Sequence, residues 1–136
     1  MDGKFVLSKQ TPQEVLDWGC LRWMSHPPST GAEQLTVLEV TIEPGKGHNF
    51  HKHPGQEEVI YVMSGEVEQW LEQEQQQLGP GDSVFIPADA VHASFNCGQG
   101  VAQLLAILGP CVGDQGYELV DVAADEPWKS LRTLSM

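Results

Sequence analysis

The chain of 136 residues has little basic charge. Seven Lys and Arg residues stand against 19 Asp and Glu residues, which gives a formal net charge of −12. So few cations cannot build the extended basic surface that binds a phosphate backbone or anionic lipid headgroups. The chain also has no apolar run of about 18 residues, the length that indicates a transmembrane helix. We therefore expect neither a nucleic-acid partner nor a membrane partner.

Cysteine is equally scarce. The three cysteines are Cys20, Cys97 and Cys111, and no two of them have CxxC spacing. An odd and widely spaced set predicts neither a disulfide framework nor a thiolate zinc site, and free thiols are typical of a reducing compartment. The first residues, Met1 to Lys4, lack the apolar run of a signal peptide. We expect a cytoplasmic protein.

Glycine and proline are abundant, with 14 and 9 residues respectively. They interrupt the chain about every eight to twelve residues, which is typical of an all-β sandwich or barrel. The 40% of hydrophobic residues suffices for the core of one domain spanning residues 1–136. Apolar alternation between the turns predicts strands over residues 21–24, 35–43, 51–53, 58–63, 66–71, 83–87, 91–96 and 101–108.

Three segments have other signals. Thr11 to Glu14 has the pattern of a capping box with proline at the first helical position, so it predicts a helical turn that ends at Gly19. The glutamine-rich segment from Gln73 to Gln77 is interpreted as a solvated hairpin loop. A short helix is predicted over residues 128–131, within a C-terminal part that wraps the outside of the fold.

One set of side chains indicates a metal site. His51 and His53 are two residues apart on a predicted strand, so both imidazoles face the same side. Glu58 follows after the Pro-Gly turn, on a strand face that it shares with apolar residues. An ionised carboxylate in such a place is costly unless a cation meets it, and no Lys or Arg within the motif shares this face. A divalent metal ion would resolve this, with His92 as the fourth ligand.

The spacing of these residues resembles the two motifs of the cupin superfamily. The first motif corresponds to Gly45, His51, His53, Glu58 and Gly65, and the second to Gly81, Pro87, His92 and Asn96. The resemblance implies a single double-stranded β-helix, or jelly-roll barrel, with its core at about residues 35–110. Residues 1–34 would be an N-terminal extension and residues 111–136 the wrapping segment. Asp89 stands where the family usually has glycine, so we expect a left-handed backbone conformation there.

The resemblance also implies a function. Residues His51, His53, Glu58 and His92 would hold one divalent transition metal ion, whether Fe, Mn, Ni, Co, Cu or Zn, and leave positions open for a chelating substrate. We interpret the chain as a metal-dependent enzyme of the oxygenase or oxidoreductase type, acting on a small oxygen-rich molecule. Beyond a metal-bound water and Glu58, no catalytic residue is identified. Two alternatives stay open: a sugar or sugar-acid isomerase or lyase, and a non-catalytic carbohydrate-binding protein.

Strand parity outlines the surroundings of the site. The amides of Gln69 and Gln103 are candidate substrate contacts. The candidate pocket walls are Ile60, Val62, Phe85 and Leu105. His48 is interpreted as an exposed loop residue, with donation of a hydrogen bond to a substrate as the alternative. Because the strand over residues 58–63 is apolar on both faces, its outer face should also be covered, and we expect a homodimer.

Overall fold

Two antiparallel sheets make up the structure. The computed structural model describes residues 3–132. The six-stranded sheet contains, in spatial order, β1 (Gln13–Leu16), β2 (Gly19–Ser25), β3 (Thr36–Ile42), β10 (Ala102–Gly109), β5 (Glu57–Ser64) and β8 (Ser83–Ile86). The five-stranded sheet contains β11 (Val120–Asp121), β4 (Gly47–Lys52), β9 (His92–Asn96), β6 (Val67–Leu71) and β7 (Glu74–Leu78). Two helices of one turn, α1 (Pro27–Thr30) and α2 (Trp128–Leu131), complete it.

The interior lies between the two sheets. Strands β3, β5 and β10 alternate between buried and more exposed positions along their length, so each strand directs every second side chain inward. These inward side chains form the main hydrophobic cluster. From β3 to β10 the chain crosses repeatedly between the sheets, so β10 lies between β3 and β5, and β9 lies between β4 and β6. The architecture is a double-stranded β-helix, so the all-β jelly-roll prediction is confirmed.

Two local predictions are wrong. The segment from Thr11 to Gly19 is not a helical turn: β1 pairs with β2, with Gln13 opposite Arg22. No helical pattern of apolar residues follows the capping signal, and pairing with β2 satisfies the backbone instead. The glutamine-rich segment is likewise not a loop, because β7 pairs with β6 as a polar edge strand. The short helix over residues 128–131 is confirmed.

The outer faces of the two sheets differ. A second apolar cluster covers the five-stranded sheet, where Trp128 and Leu131 of α2 pack on residues that include Phe50 and Trp70. On the six-stranded sheet, the outward side chains of Val59, Tyr61 and Phe85 remain 36%, 41% and 53% exposed. None of the helices within residues 3–132 is long and apolar enough to cross a membrane.

Candidate metal centre

The fold brings together all four residues of the expected ligand set. His51 on β4 and His92 on β9 are direct partners in the register of the five-stranded sheet. His53 lies just beyond β4, before the turn at Gly55, whose φ is +71°. Glu58 reaches the same point from β5 in the opposite sheet. The site therefore lies inside the barrel, between the two sheets.

The three histidines form a candidate metal site. Their potential ligand atoms all lie within 4.8 Å of one another, and all three residues are buried. The carboxylate of Glu58 adjoins them: its Oε1 atom is 3.0 Å from Nε2 of His92 and 3.5 Å from Nε2 of His53. Nitrogen and oxygen donors at these separations are close enough to share one transition metal ion.

Backbone carbonyls fix the tautomer of each imidazole. Nδ1 of His51 contacts the carbonyl oxygen of Asn49 at 2.6 Å, and Nδ1 of His92 contacts that of Ala90 at 3.1 Å. Nδ1 of His53 contacts the carbonyl oxygen of Glu118 at 2.8 Å. Because a carbonyl can only accept, Nδ1 donates in each pair, and the Nε2 lone pair is left for a metal.

Two polar atoms at the centre lack partners. Among the described residues, neither Oε1 of Glu58 nor Nε2 of His92 has a hydrogen bond, although their residues are only 5% and 1% exposed. The 3.0 Å contact between these atoms does not have hydrogen-bond geometry. Buried polar atoms normally find partners, and leaving one unsatisfied costs about 1–3 kcal/mol. A cation between the two atoms would satisfy both, so the residues fit a metal ion.

Burial keeps His48, His51 and His53 neutral. Desolvation, followed by repulsion from the neighbouring imidazoles, lowers the pKa of His51 well below its ordinary value of 6.5. Desolvation also lowers the pKa of His53, although the Glu58 carboxylate opposes this effect. The same causes lower the pKa of His48 to about 3. Neutral imidazoles are the form that binds metal ions, so His51 and His53 are ready to coordinate at neutral pH.

Acidification is expected to destabilise the metal-free protein. Because the pKa values of His48, His51 and His53 are lower in the folded state, the unfolded chain binds more protons below pH 6.5. The free energy of unfolding should therefore be highest above pH 6.5. It should fall as the pH drops towards the folded-state values, by at most about 1.4 kcal/mol per pH unit for each histidine. Urea unfolding at several pH values measures this. A His51→Gln variant should show a shallower slope, and a flat wild-type profile would contradict the prediction.

A small, mainly apolar cavity adjoins the four residues. Its volume is about 40 Å³. Apart from the four, its walls are formed by Leu21, Leu38, Val40, Ile42, His48, Ile60, Ser94, Leu104, Ala106, Leu108 and Tyr117. Within the described part of the chain, no Lys, Arg, Asn or Gln side chain lines it. The cavity is therefore suited to an uncharged, apolar group next to the metal centre.

The expected pocket residues have mixed outcomes. Ile60 lines the cavity as expected. Val62 is fully buried in the core but does not line the cavity. The prediction that Phe85 forms a wall is wrong, because Phe85 pairs with Val59 on the outer face. The prediction for Leu105 is also wrong, since Leu105 pairs with Tyr61 on the outer face. The β10 side chains that face inward and line the cavity are those of its neighbours Leu104 and Ala106.

The two candidate amides also lie outside the cavity. Gln103 is on the outward-facing parity of β10, so the structure does not support a substrate contact there. Gln69 is buried behind the cavity wall, where its Oε1 accepts a hydrogen bond from Ser94 at 2.6 Å. Gln69 therefore positions Ser94, which does line the cavity.

The interpretation of His48 as an exposed loop residue is wrong. Its ring lies between two others, 3.7 Å from the ring centre of His51 and 4.8 Å from that of Trp18. The cause is an irregularity in the pairing of β4 with β9 between His48 and His51. Residues three apart on a regular strand face opposite sides, and the bulge brings both rings to one side.

Residues beyond the motifs close the cavity from the other side. Tyr117 packs against His53, with ring centres 5.3 Å apart, and against Trp23 at 5.2 Å. Its segment is held by the carbonyl oxygen of Gly116, which accepts hydrogen bonds from Gln56 and Thr36, each at 2.8 Å. Nothing in the sequence pattern marked Tyr117, because the C-terminal part lacks clear periodicity.

The left-handed turn at Asp89 is confirmed. Asp89 has a φ of +68°, the conformation that the family's usual glycine adopts readily. Its backbone N–H lies 3.4 Å from the carbonyl oxygen of His53. The departure from the family pattern therefore leaves the surrounding backbone in place.

Comparison with known proteins agrees with this fold and site. Residues 38–108, more than half of the chain, match the family model described as "Cupin domain". The chain belongs to the cupin family.

Individual relatives differ in how much they share. The chain is 30% identical to the polyketide synthase CurC of Streptomyces cyaneus over 106 residues, which cover 78% of this chain and 69% of CurC. It is 30% identical to quercetin 2,3-dioxygenase of Bacillus subtilis over 75 residues, which cover 54% of this chain and 22% of the dioxygenase. The solved structure of the polyketide cyclase RemF of Streptomyces resistomycificus superposes with a TM-score of 0.72 at 21% identity, covering 99% and 94% of the two chains.

Proposed function

We propose that this cupin is a metal-dependent enzyme of the oxygenase or oxidoreductase type, which acts on a small molecule chelated to the metal through two oxygen atoms. The observation that carries the proposal is the convergence of His51, His53, His92 and Glu58 on one point beside an apolar cavity. Three neutral imidazoles and one carboxylate leave a divalent ion with open positions, unlike a closed structural zinc site.

The residues of the chain have separate roles in this proposal. The four donors would hold the metal, which when bound supplies Lewis-acid and, for iron, manganese or copper, redox chemistry. The carbonyl contacts to Nδ1 orient the three imidazoles. The apolar walls keep water away from the reacting end of the substrate. Burial, assisted by Glu14 and Glu58, raises the pKa of Tyr117 to about 12, so its phenol stays protonated and can donate a hydrogen bond.

The cavity favours this reaction class over chemistry on sugar acids. A polyhydroxylated acid needs hydrogen-bond donors and a cation around it, and among residues 3–132 neither Lys nor Arg lines the cavity next to the metal centre. The names of two relatives point the same way, since one refers to polyketide synthesis and the other to dioxygenation of quercetin. Both names concern molecules with ketone or phenol oxygens on a largely apolar skeleton.

A matrix of metals and substrates tests the proposal. The protein is reconstituted without oxygen with iron, manganese or nickel and then mixed with diketones, catechols or keto acids. Oxygen uptake in at least one combination is the expected result. Isomerisation of sugar acids without oxygen uptake would support the alternative isomerase or lyase. Tight binding of carbohydrate with no turnover would indicate a binding protein.

We also propose that the partner of the chain is a second copy. The uncovered outer face of the six-stranded sheet, with Val59, Tyr61 and Phe85, supports this, because exposed apolar patches commonly mark interfaces. Light scattering should give twice the chain mass of 14.9 kDa. A Phe85→Asp variant should give particles of a single chain, whereas Gln75→Asp, on the edge of the other sheet, should not. Wild-type particles of 14.9 kDa would contradict the proposal.

A further inference from the structure

Two cavities of very different size share one wall. The inner cavity adjoins the candidate metal centre and has a volume of about 40 Å³. A surface groove of about 690 Å³ lies beside it, lined by residues that include Asp17, Trp18, Lys46 and Asp121. His48 and His51 line both spaces. Because His51 belongs to the candidate ligand set, His48 is the other side chain that borders both the groove and the cavity.

The inner cavity is too small for a whole substrate. A volume of about 40 Å³ holds a few water molecules, since one water needs roughly 10–15 Å³ of cavity volume. Sites for small molecules usually measure about 300–1,000 Å³, and the surface groove falls within that range. A substrate with a carbon skeleton must therefore keep most of its body outside the inner cavity.

His48 is held by ring stacking alone. Its ring planes are within 16° of those of Trp18 and His51, and no described residue forms a hydrogen bond with its ring nitrogens. The opposite wall is anchored differently. Moving the segment of Tyr117 would break the hydrogen bonds to the carbonyl oxygens of Gly116 and Glu118. Turning His48 aside costs stacking contacts but no hydrogen bond, so this wall opens more easily.

The charges of the groove restrict what it can bind. Asp17 and Asp121 contribute two carboxylates. The ammonium of Lys46 is already engaged, since it donates to the backbone carbonyl of Asp17 at 2.9 Å and lies 3.6 Å from the carboxylate of Glu43. An anionic ligand would meet repulsion here, whereas a neutral planar ligand can pack on the indole of Trp18.

We infer that the surface groove binds the body of a neutral, planar, conjugated substrate, and that His48 is the gate through which its chelating end reaches the metal centre. This inference rests on the proposed function, because it names the class of molecule that the same site takes. His48 acts here as a specificity-determining residue and not as a ligand.

Ligand entry into the cobalt(II)-loaded protein tests the gate. Azide is a compact probe and catechol a neutral planar chelator, and stopped-flow absorption of the cobalt bands follows both. In His48→Ala, the association rate of catechol should rise by about tenfold while that of azide changes by less than twofold. His26→Ala is the matched control, because His26 also stacks on a tryptophan, Trp23, at 4.6 Å. Equal acceleration of both probes, or acceleration by His26→Ala as well, would overturn the gate.

Metal content and circular dichroism of every variant are measured first, and His48→Gln serves as a second variant that keeps a polar planar group. Loss of cobalt from both His48 variants with the fold intact would overturn the assignment of His48 as a gate, because it would make His48 part of the metal centre. Failure of the wild type itself to hold cobalt would instead contradict the proposed function.

Equilibrium dialysis of the metal-free protein tests the groove independently of any metal. Catechol should bind about tenfold more tightly than 3,4-dihydroxybenzoate, which has the same oxygen pair and an added carboxylate. Trp18→Ala should weaken catechol binding by about tenfold, whereas Trp128→Phe, on the outside of the other sheet, should not change it. Equal binding of the two ligands, or no effect of Trp18→Ala, would overturn the groove as the substrate subsite.

Discussion

Replacing His51 or His92 by alanine is expected to remove tight metal binding from a protein that remains folded. Each substitution deletes one of the Nε2 donors that converge within 4.8 Å. Loss of a hydrogen-bond partner behind a ligand already costs about 10–100-fold in metal affinity, so loss of a ligand should cost at least about 100-fold. The fold should survive, because the main hydrophobic cluster of the barrel does not include either histidine.

Metal content per chain after dialysis, together with far-ultraviolet circular dichroism, measures both parts of this prediction. His26→Ala provides the control, since it removes a buried histidine that is not one of the clustered ligand residues and does not line the cavity. Full metal occupancy in the double variant with His51→Ala and His92→Ala would show that the ion is held elsewhere.

Replacing Glu58 by glutamine is expected to change metal affinity and apo-protein stability in opposite directions. Glutamine removes the buried charge, so metal affinity should fall by about 10-fold or more. In the metal-free protein the same change relieves the contact between Oε1 of Glu58 and Nε2 of His92, neither of which has a hydrogen bond. The glutamine amide can donate to that nitrogen, so the free energy of unfolding should rise by about 1–2 kcal/mol.

Urea unfolding with and without metal measures the two effects in one series. Glu57→Gln is the matched control, because Glu57 is the adjacent residue on β5 and is exposed. This control should change neither the free energy of metal binding nor the free energy of unfolding by more than about 0.5 kcal/mol. A metal-free Glu58→Gln protein that is less stable than the wild type would show that the carboxylate has a favourable partner in the absence of metal.

The sequence predicts the candidate ligands well because their positions depend on short spacings. His51 and His53 are separated by one residue, so their side chains share a strand face. Glu58 follows after a single tight turn. Strand parity on β5 is therefore reliable, and Glu58 and Ile60 both face the interior. His92 was assigned as the fourth ligand from the second motif, and the structure pairs it with His51.

Strand parity does not predict which side chains face inward where a partner strand distant in sequence determines the orientation of the strand. The four residues of β8 contain too few positions to show which side is buried, and its pairing with β5 turns Phe85 outward. In β10 the residues from Leu104 to Leu108 are all apolar, so the sequence gave no indication of which parity faces inward. The bulge that turns His48 inward is an irregularity that the sequence does not mark.

Two residues from outside the motifs were also beyond prediction: Trp18, which lines the surface groove, and Tyr117, which lines the cavity. Trp18 precedes β2, and Tyr117 lies in a segment with no regular secondary structure. Both reach the site through contacts that span many residues, for example the hydrogen bond from Gln56 to Gly116. Long-range contacts of this kind leave no periodic signal in a single sequence.

The hydrogen bond from His53 to the carbonyl oxygen of Glu118 has a consequence for dissecting this protein. Residues 38–108 contain all four donor side chains, but Glu118 lies beyond them. A fragment trimmed to those residues would contain all four candidate metal ligands. It would lack the carbonyl oxygen of Glu118, which fixes the orientation and the tautomer of the His53 ring.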